Sequence, residues 1–223
     1  MNISKLFFTT LTLAATAIAI NAQLAALKRG DALVAQEQYQ QAIAAYSEVT
    51  PADRDSYARA IYNIGVCHYE LWQTGEAIAF YKRAIELKQG NYPRASYALG
   101  VALEDQGNTT DARAAYEEAA RGEFAPATYR LGLLAAKAGE FKKAAALFRE
   151  AAARTGAHVP ASHNNLGVMF AQLGMMKEAE QEFVTALRKA NGSFADAAHN
   201  LNLCRSLTAG VRQDWRLHKL GAI

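Results

Sequence analysis

The chain has 223 residues, of which 51% are hydrophobic, 9% aromatic and 20% charged, the balance of a chain able to bury an ordinary core. Its 24 Lys and Arg against 21 Asp and Glu leave a formal charge of +3, too slight a bias to argue for nucleic acid or an acidic membrane surface. Cys67 and Cys204 are the two cysteines, with no CxxC and no Cys/His cluster at metal spacing, so a disulfide framework does not stabilise the protein.

The N-terminus opens on the weakly basic MNISK, and the uncharged run LFFTTLTLAATAIAI follows. Ala17-Ile18-Ala19 and Asn21-Ala22-Gln23 offer small-residue cleavage sites, so residues 1–22 read as a secretory signal peptide. An uncleaved membrane anchor and a buried first helix are the other readings. Leu6 to Leu27 is long enough to span a bilayer, but four threonines, Asn21 and Gln23 weaken it as a permanent span. Cleavage implies an exported protein, periplasmic or secreted; retention implies one anchored to the membrane by this segment.

Beyond it, one pattern recurs. A Gly is followed twelve residues later by an Ala in five places: Gly30 and Ala42, Gly65 and Ala77, Gly100 and Ala112, Gly132 and Ala144, Gly167 and Ala179. Four residues after each Ala stands an aromatic (Tyr46, Tyr81, Tyr116, Phe148, Phe183), and three further on a small apolar residue (Val49, Ala84, Ala119, Ala151, Ala186). A Gly lacks a side chain and lets a second helix approach closely, and the Ala permits that approach from the other side. Each unit is then two short helices that cannot bury their apolar faces alone, so the units stack.

The pattern resembles the tetratricopeptide repeat, a helix–turn–helix unit of about 34 residues with these Gly, Ala and aromatic positions. The resemblance covers about residues 23–207. The steps between units are 35, 35, 32 and 35 residues, and the short step, from Glu118 to Gly132, looks closer to the related Sel1-like repeat. The expected fold is all-α, a right-handed helical-repeat solenoid of units at about 23–57, 58–92, 93–124, 125–159 and 160–194, a capping helix at 195–207 and a tail at 208–223. In the tail, Val211 to Leu220, with Trp215, Arg216 and Lys219, reads as a short helix packed on the cap.

Punctuation agrees with this layout. Gly90, Gly107, Gly122, Gly139, Gly156, Gly174, Gly192 and Gly210 each follow an apolar-periodic segment, where a helix C′ residue takes a positive φ. In the second unit Trp72 stands where a glycine is usual, and Gly75 comes three residues late. Pro93, Pro126 and Pro160 fall in the opening turns of first helices, where a missing N–H costs nothing. Ser193 with Asp196 reads as a capping box for the last helix.

Counting the repeat glycine as position 8, first-helix positions 4, 7, 8 and 11 share one face at 100° per residue, and positions 2, 5, 6, 9 and 12 lie opposite. The resemblance implies that this opposite side lines a concave groove receiving an extended peptide or a helix. Here it carries Arg59, Tyr62, Asn63, Arg94, Tyr97, Tyr129, Arg130, Asn164, Asn165, His199 and Asn200, the candidate peptide-binding groove. Tyrosines supply rigid contact area, amides pair with a peptide backbone, and arginines accept a carboxylate. Tyr at position 5 and Asn at position 6 also serve the repeat as helix-to-helix hydrogen-bonding residues, and the arginines also have Glu70, Glu104 and Asp105 as neighbours to pair with. Both readings stand on sequence alone.

Catalytic constellations are absent: there is no HExxH, GxSxG, P-loop or GxGxxG. His68 and His163 occupy packing positions, and His199 alone points to the groove side. Asn108-Thr-Thr and Asn191-Gly-Ser have the form of N-glycosylation sequons in turns. The expectation is a non-enzymatic adaptor with no cofactor and no metal, whose partner is a protein or peptide and not nucleic acid, with membrane contact only through an uncleaved N-terminal segment. The alternative is a structural scaffold that oligomerises or tethers an assembly to the membrane.

Overall fold

The computed structural model describes residues 20–209. The signal-peptide reading up to residue 19, Gly210 and the tail helix with Trp215 lie outside the described residues. All regular structure among those described is helical: residues 20–34 (α1), Tyr39–Ser47 (α2), Arg54–Glu70 (α3), Thr74–Leu87 (α4), Pro93–Asp105 (α5), Thr109–Arg121 (α6), Ala125–Lys137 (α7), Phe141–Ala152 (α8), Val159–Gln172 (α9), Met176–Lys189 (α10) and Ala195–Thr208 (α11). The described residues form two compact units, with the division between Ala115 and Tyr116, inside α6.

In the first unit α3 packs on α2, α4 and α5, and its core gathers Leu27, Tyr46, Ile61, Ile64 and Cys67. In the second, α7 to α11 pack in succession and α9 also meets α11, around a core that includes Phe148, Leu166, Met169, Phe183 and Leu201.

The repeat pattern works as a ring set into a notch. A Cβ on Gly65 would lie 2.8 Å from the Tyr81 ring, one on Gly132 2.7 Å from Phe148, and one on Gly167 2.7 Å from Phe183. The aromatic four residues after Ala77, Ala144 and Ala179 therefore occupies the volume its glycine leaves empty. Tyr81 is 2% exposed and Phe148 and Phe183 0%, and each such ring contributes about 1.5–3 kcal/mol through burial.

Turns within the repeats close with one recurring bond. The third residue past each helix donates its N–H to the carbonyl five residues back: Gln73 to His68 (2.9 Å), Asn108 to Leu103 (2.9 Å), Glu140 to Ala135 (2.9 Å) and Met175 to Phe170 (2.8 Å). The bond requires a left-handed residue just before it. Gly107, Gly139 and Gly174 meet that need at φ 78°, 76° and 77°, and Trp72 is forced into it at 61°. The short step between units departs from expectation: the left-handed residue after α6 is Glu123 (φ 61°), one place beyond Gly122, because Phe124 N–H, not its predecessor, bonds back to the Ala119 carbonyl.

Helix starts follow their local chemistry. Pro93, Pro126 and Pro160 sit at the first or second positions of α5, α7 and α9. The Asp53 carboxylate caps α3 by accepting from the Asp55 and Ser56 amides, and hydrogen bonds from Ser56 hold that carboxyl below its usual range. The capping box expected from Ser193 and Asp196 does not form: Phe194 is the N-cap of α11 and makes no side-chain cap bond. The Ser193 N–H is instead tied into the preceding turn, bonding to the Ala190 carbonyl.

Candidate functional site

The residues expected to line one groove have different fates in the two units. In the second unit four of them are interior. Asn164, Asn165 and Asn200 are fully buried and Tyr129 is 3% exposed. Asn200 Nδ2 donates to Asn164 Oδ1 at 3.0 Å, Asn164 Nδ2 to Asn165 Oδ1 at 3.3 Å, and Asn165 Nδ2 to the Tyr129 hydroxyl at 3.0 Å. The Tyr129 ring leans on Phe148, centroids 5.6 Å apart. This chain of amides ties together α7, α9 and α11, the first helices of successive repeats and the cap. The surface expectation for these four is corrected: their polar atoms are spent between helices, because a buried amide must find partners inside. Arg130 is half-buried and His199 is exposed.

The first unit keeps an open surface. Arg59 and Arg94 are exposed, and Tyr62, Asn63 and Tyr97 are half-buried. The Tyr62 ring lies 5.4 Å from Tyr92 and 5.8 Å from Tyr81. Burial pushes the phenols of Tyr62 and Tyr92 above their ordinary value, and the Arg94 guanidinium pulls both the other way, so its positive field reaches both rings. Arg94 itself makes no ion pair among the described residues. Arg59 is different: it pairs with Asp31, and neither Glu70 nor Asp105 is its partner. Asp105 accepts instead from the Tyr69 hydroxyl.

Asp31 is the residue that the sequence reading passed over. It follows the first repeat glycine, at position 9, where the other units carry Val66, Val101, Leu133 and Val168. An acid in an otherwise apolar column was the available signal. Its carboxylate accepts from the Tyr46 hydroxyl at 2.8 Å, from Asn63 Nδ2 at 3.2 Å and from Arg59. Burial, then the bond to Asp31, pushes the Tyr46 phenol well above its usual range and keeps it a donor. Asn63 is thus occupied by the protein's own acid.

Several other titratable side chains do structural work. His68 stacks on Phe80 with centroids 5.0 Å apart and hydrogen-bonds Gln73 at 2.6 Å. His163 Nδ1 lies 2.7 Å from the half-buried Glu182, and the buried His158 bonds the Ala151 carbonyl at 3.2 Å. Cys67 and Cys204 are free and buried, and burial pushes the Cys67 thiol up to about 11, which leaves it protonated and unreactive near neutrality. The Asn108 side chain is used at the start of α6, where it accepts from the Asp111 N–H at 3.3 Å and donates to its carboxylate at 2.7 Å. Among the described residues no group of three His, Cys, Asp or Glu is placed to hold a metal ion, and no helix is long and apolar enough to cross a membrane.

Solved structures with the same architecture are plentiful. PilF of Pseudomonas aeruginosa superposes with a TM-score of 0.70 at 16% identity, covering 86% of each chain. A MamA structure gives 0.60 at 24% identity, over 73% of this chain and 94% of that one. YrrB, a TPR protein with an unusual peptide-binding site, gives 0.58 at 20% identity, over 83% and 95%. At these identities the likeness shows the fold. No curated protein sequence matches the chain. The profile of the tetratricopeptide repeat matches residues 27–92, 87–128 and 129–198, nearly all of the repeated region, and on that match the chain belongs to the tetratricopeptide repeat family, whose members act as protein interaction modules.

Proposed function

We infer that the protein is a non-enzymatic adaptor that binds a peptide or protein segment along the first-helix surface of its first unit, and that it works outside the cytoplasm after removal of residues 1–22. The observation that carries the binding site is Arg94: an exposed guanidinium with no ion pair among the described residues, set beside the half-buried Tyr62 and Tyr92. Exposed Arg next to partly buried aromatic rings is the chemistry that recurs at the energetic centre of protein interfaces. The family supports a protein partner in general, and YrrB supplies one relative with a peptide-binding site. Support for export is the uncharged run from Leu6 to Ile20 followed by small residues.

The binding half is tested by cross-linking and affinity capture from the native host with the wild-type chain, Arg94→Glu and Tyr97→Ala, with helicity checked by circular dichroism. Loss of one defined partner in Arg94→Glu is expected. Equal capture by all three folded proteins would refute this surface. Sequencing the N-terminus of the mature protein tests export, and an intact Met1 would refute cleavage.

A further inference from the structure

Three donors of the first unit converge on one acceptor. The Tyr46 hydroxyl, Asn63 Nδ2 and the Arg59 guanidinium all point to the Asp31 carboxylate, from α2 and α3 onto α1. Arg59 and Asn63 are the groups that a partner's carboxylate would seek on this surface, one charged and one neutral donor. Their acceptor is not deeply buried: the Asp31 side chain is 40% exposed and that of Arg59 49%. The contact is therefore reachable from solvent and open to exchange with a competing anion. On the next first helix, Arg94 is left without such an internal acid.

We propose that Asp31 is a specificity-determining residue that acts as a resident competitor, holding Arg59 and Asn63 in the place of a ligand carboxylate, so that an acidic segment is received at Arg94 and not at Arg59. The proposal rests on the reading that this surface binds a protein segment. It assigns the surface a partner with an acidic group placed to meet Arg94 beside the Tyr62 and Tyr92 rings. The acid stands on α1 of the same unit, so the restriction is built into the fold and needs no second molecule.

The experiment uses the full chain and a rhodamine-labelled decapeptide of alternating Leu and Glu, with the Leu–Gln decapeptide as the uncharged control, read by fluorescence anisotropy. Asp31→Asn keeps an acceptor for Tyr46 and releases Arg59, and is expected to tighten binding of the acidic peptide about fivefold, the upper range of an exposed ion pair. Asp31→Asn combined with Arg59→Gln is expected to return to the wild-type affinity. Glu76→Gln removes an exposed acid of α4 without freeing Arg59 and is expected to leave the affinity unchanged. Equal affinity in wild type and Asp31→Asn, or an equal gain in Glu76→Gln, would overturn the proposal. If Asp31→Asn brings no gain while Arg94→Gln still weakens binding, the resident-competitor idea falls and the binding surface stands. If neither change has an effect, both fall. A second measurement needs no variant at residue 31. When the wild-type chain is titrated with the acidic peptide, the Arg94 Nε–H resonance is expected to move and that of Arg59 to stay fixed. Movement of Arg59 overturns the proposal.

Discussion

Changing Gly167 to Ala tests the ring-in-notch contact directly. The new Cβ would stand 2.7 Å from Phe183 Cε1, 2.8 Å from Cδ1 and 3.1 Å from the Ala179 carbonyl oxygen. Phe183 and Ala179 are both 0% exposed, so the ring has no solvent to swing into and the carbonyl cannot move without α10. With the ring and the carbonyl both held, the cost lies in the upper part of the usual overpacking range, about 2–3 kcal/mol, and the better helix propensity of Ala offsets about 1 kcal/mol of it. The net expectation is a loss of about 1–2 kcal/mol, which in a chain of this length lowers the melting temperature by about 2–8 °C. Gly75 is the internal control. It lies in α4, has nothing within 4 Å of the position a Cβ would take, and Gly75→Ala is expected to stabilise by about 0.5–1 kcal/mol. Urea and thermal unfolding followed at 222 nm read both. On a Phe183→Ala background, which removes the ring, Gly167→Ala is expected to lose its penalty. A Gly167→Ala protein as stable as wild type, or a penalty undiminished on the Phe183→Ala background, would refute the argument.

The buried amide chain and the forced turn make two further predictions. Asn165→Ala removes the donor to Tyr129 and the acceptor of Asn164, so that two buried polar groups each lose a hydrogen-bond partner, and is expected to destabilise by about 2–4 kcal/mol; native-state hydrogen exchange of α7 and α9 reads the loss, and unchanged protection would refute the role. Trp72 is 92% exposed and held at φ 61°, so Trp72→Gly gives up little burial, relieves the left-handed strain and is expected to raise stability by about 1 kcal/mol in the same unfolding assay; a fall in stability would show that the indole makes a contact that outweighs the strain.

Much of this protein was legible before folding, for a physical reason. The Gly, Ala and aromatic positions act within one helix pair, and the turn glycines act within a few residues, so linear spacing suffices to locate them. The helix pairs, their prolines and even the oddity at Trp72 follow from such local rules. Where the local rule admitted two solutions the reading slipped by a residue or a bond, as at Glu123 beyond Gly122 and at Phe194 beyond Ser193.

What the tertiary structure decided is which side of a helix is surface. Position 5 holds Tyr62 at an open face in the first unit and Tyr129 in the interior of the second, and position 6 holds Asn63 on Asp31 but Asn165 inside an amide chain. Periodicity assigns an angle around a helix, and it does not know what lies across from that angle. The donors on Asp31 come from residues 15, 28 and 32 places away in the chain, a convergence that exists only once three helices are stacked. The sequence by itself determined the repeat and hence the fold. Stacking determined that Arg59 already has its acid and that Arg94 does not.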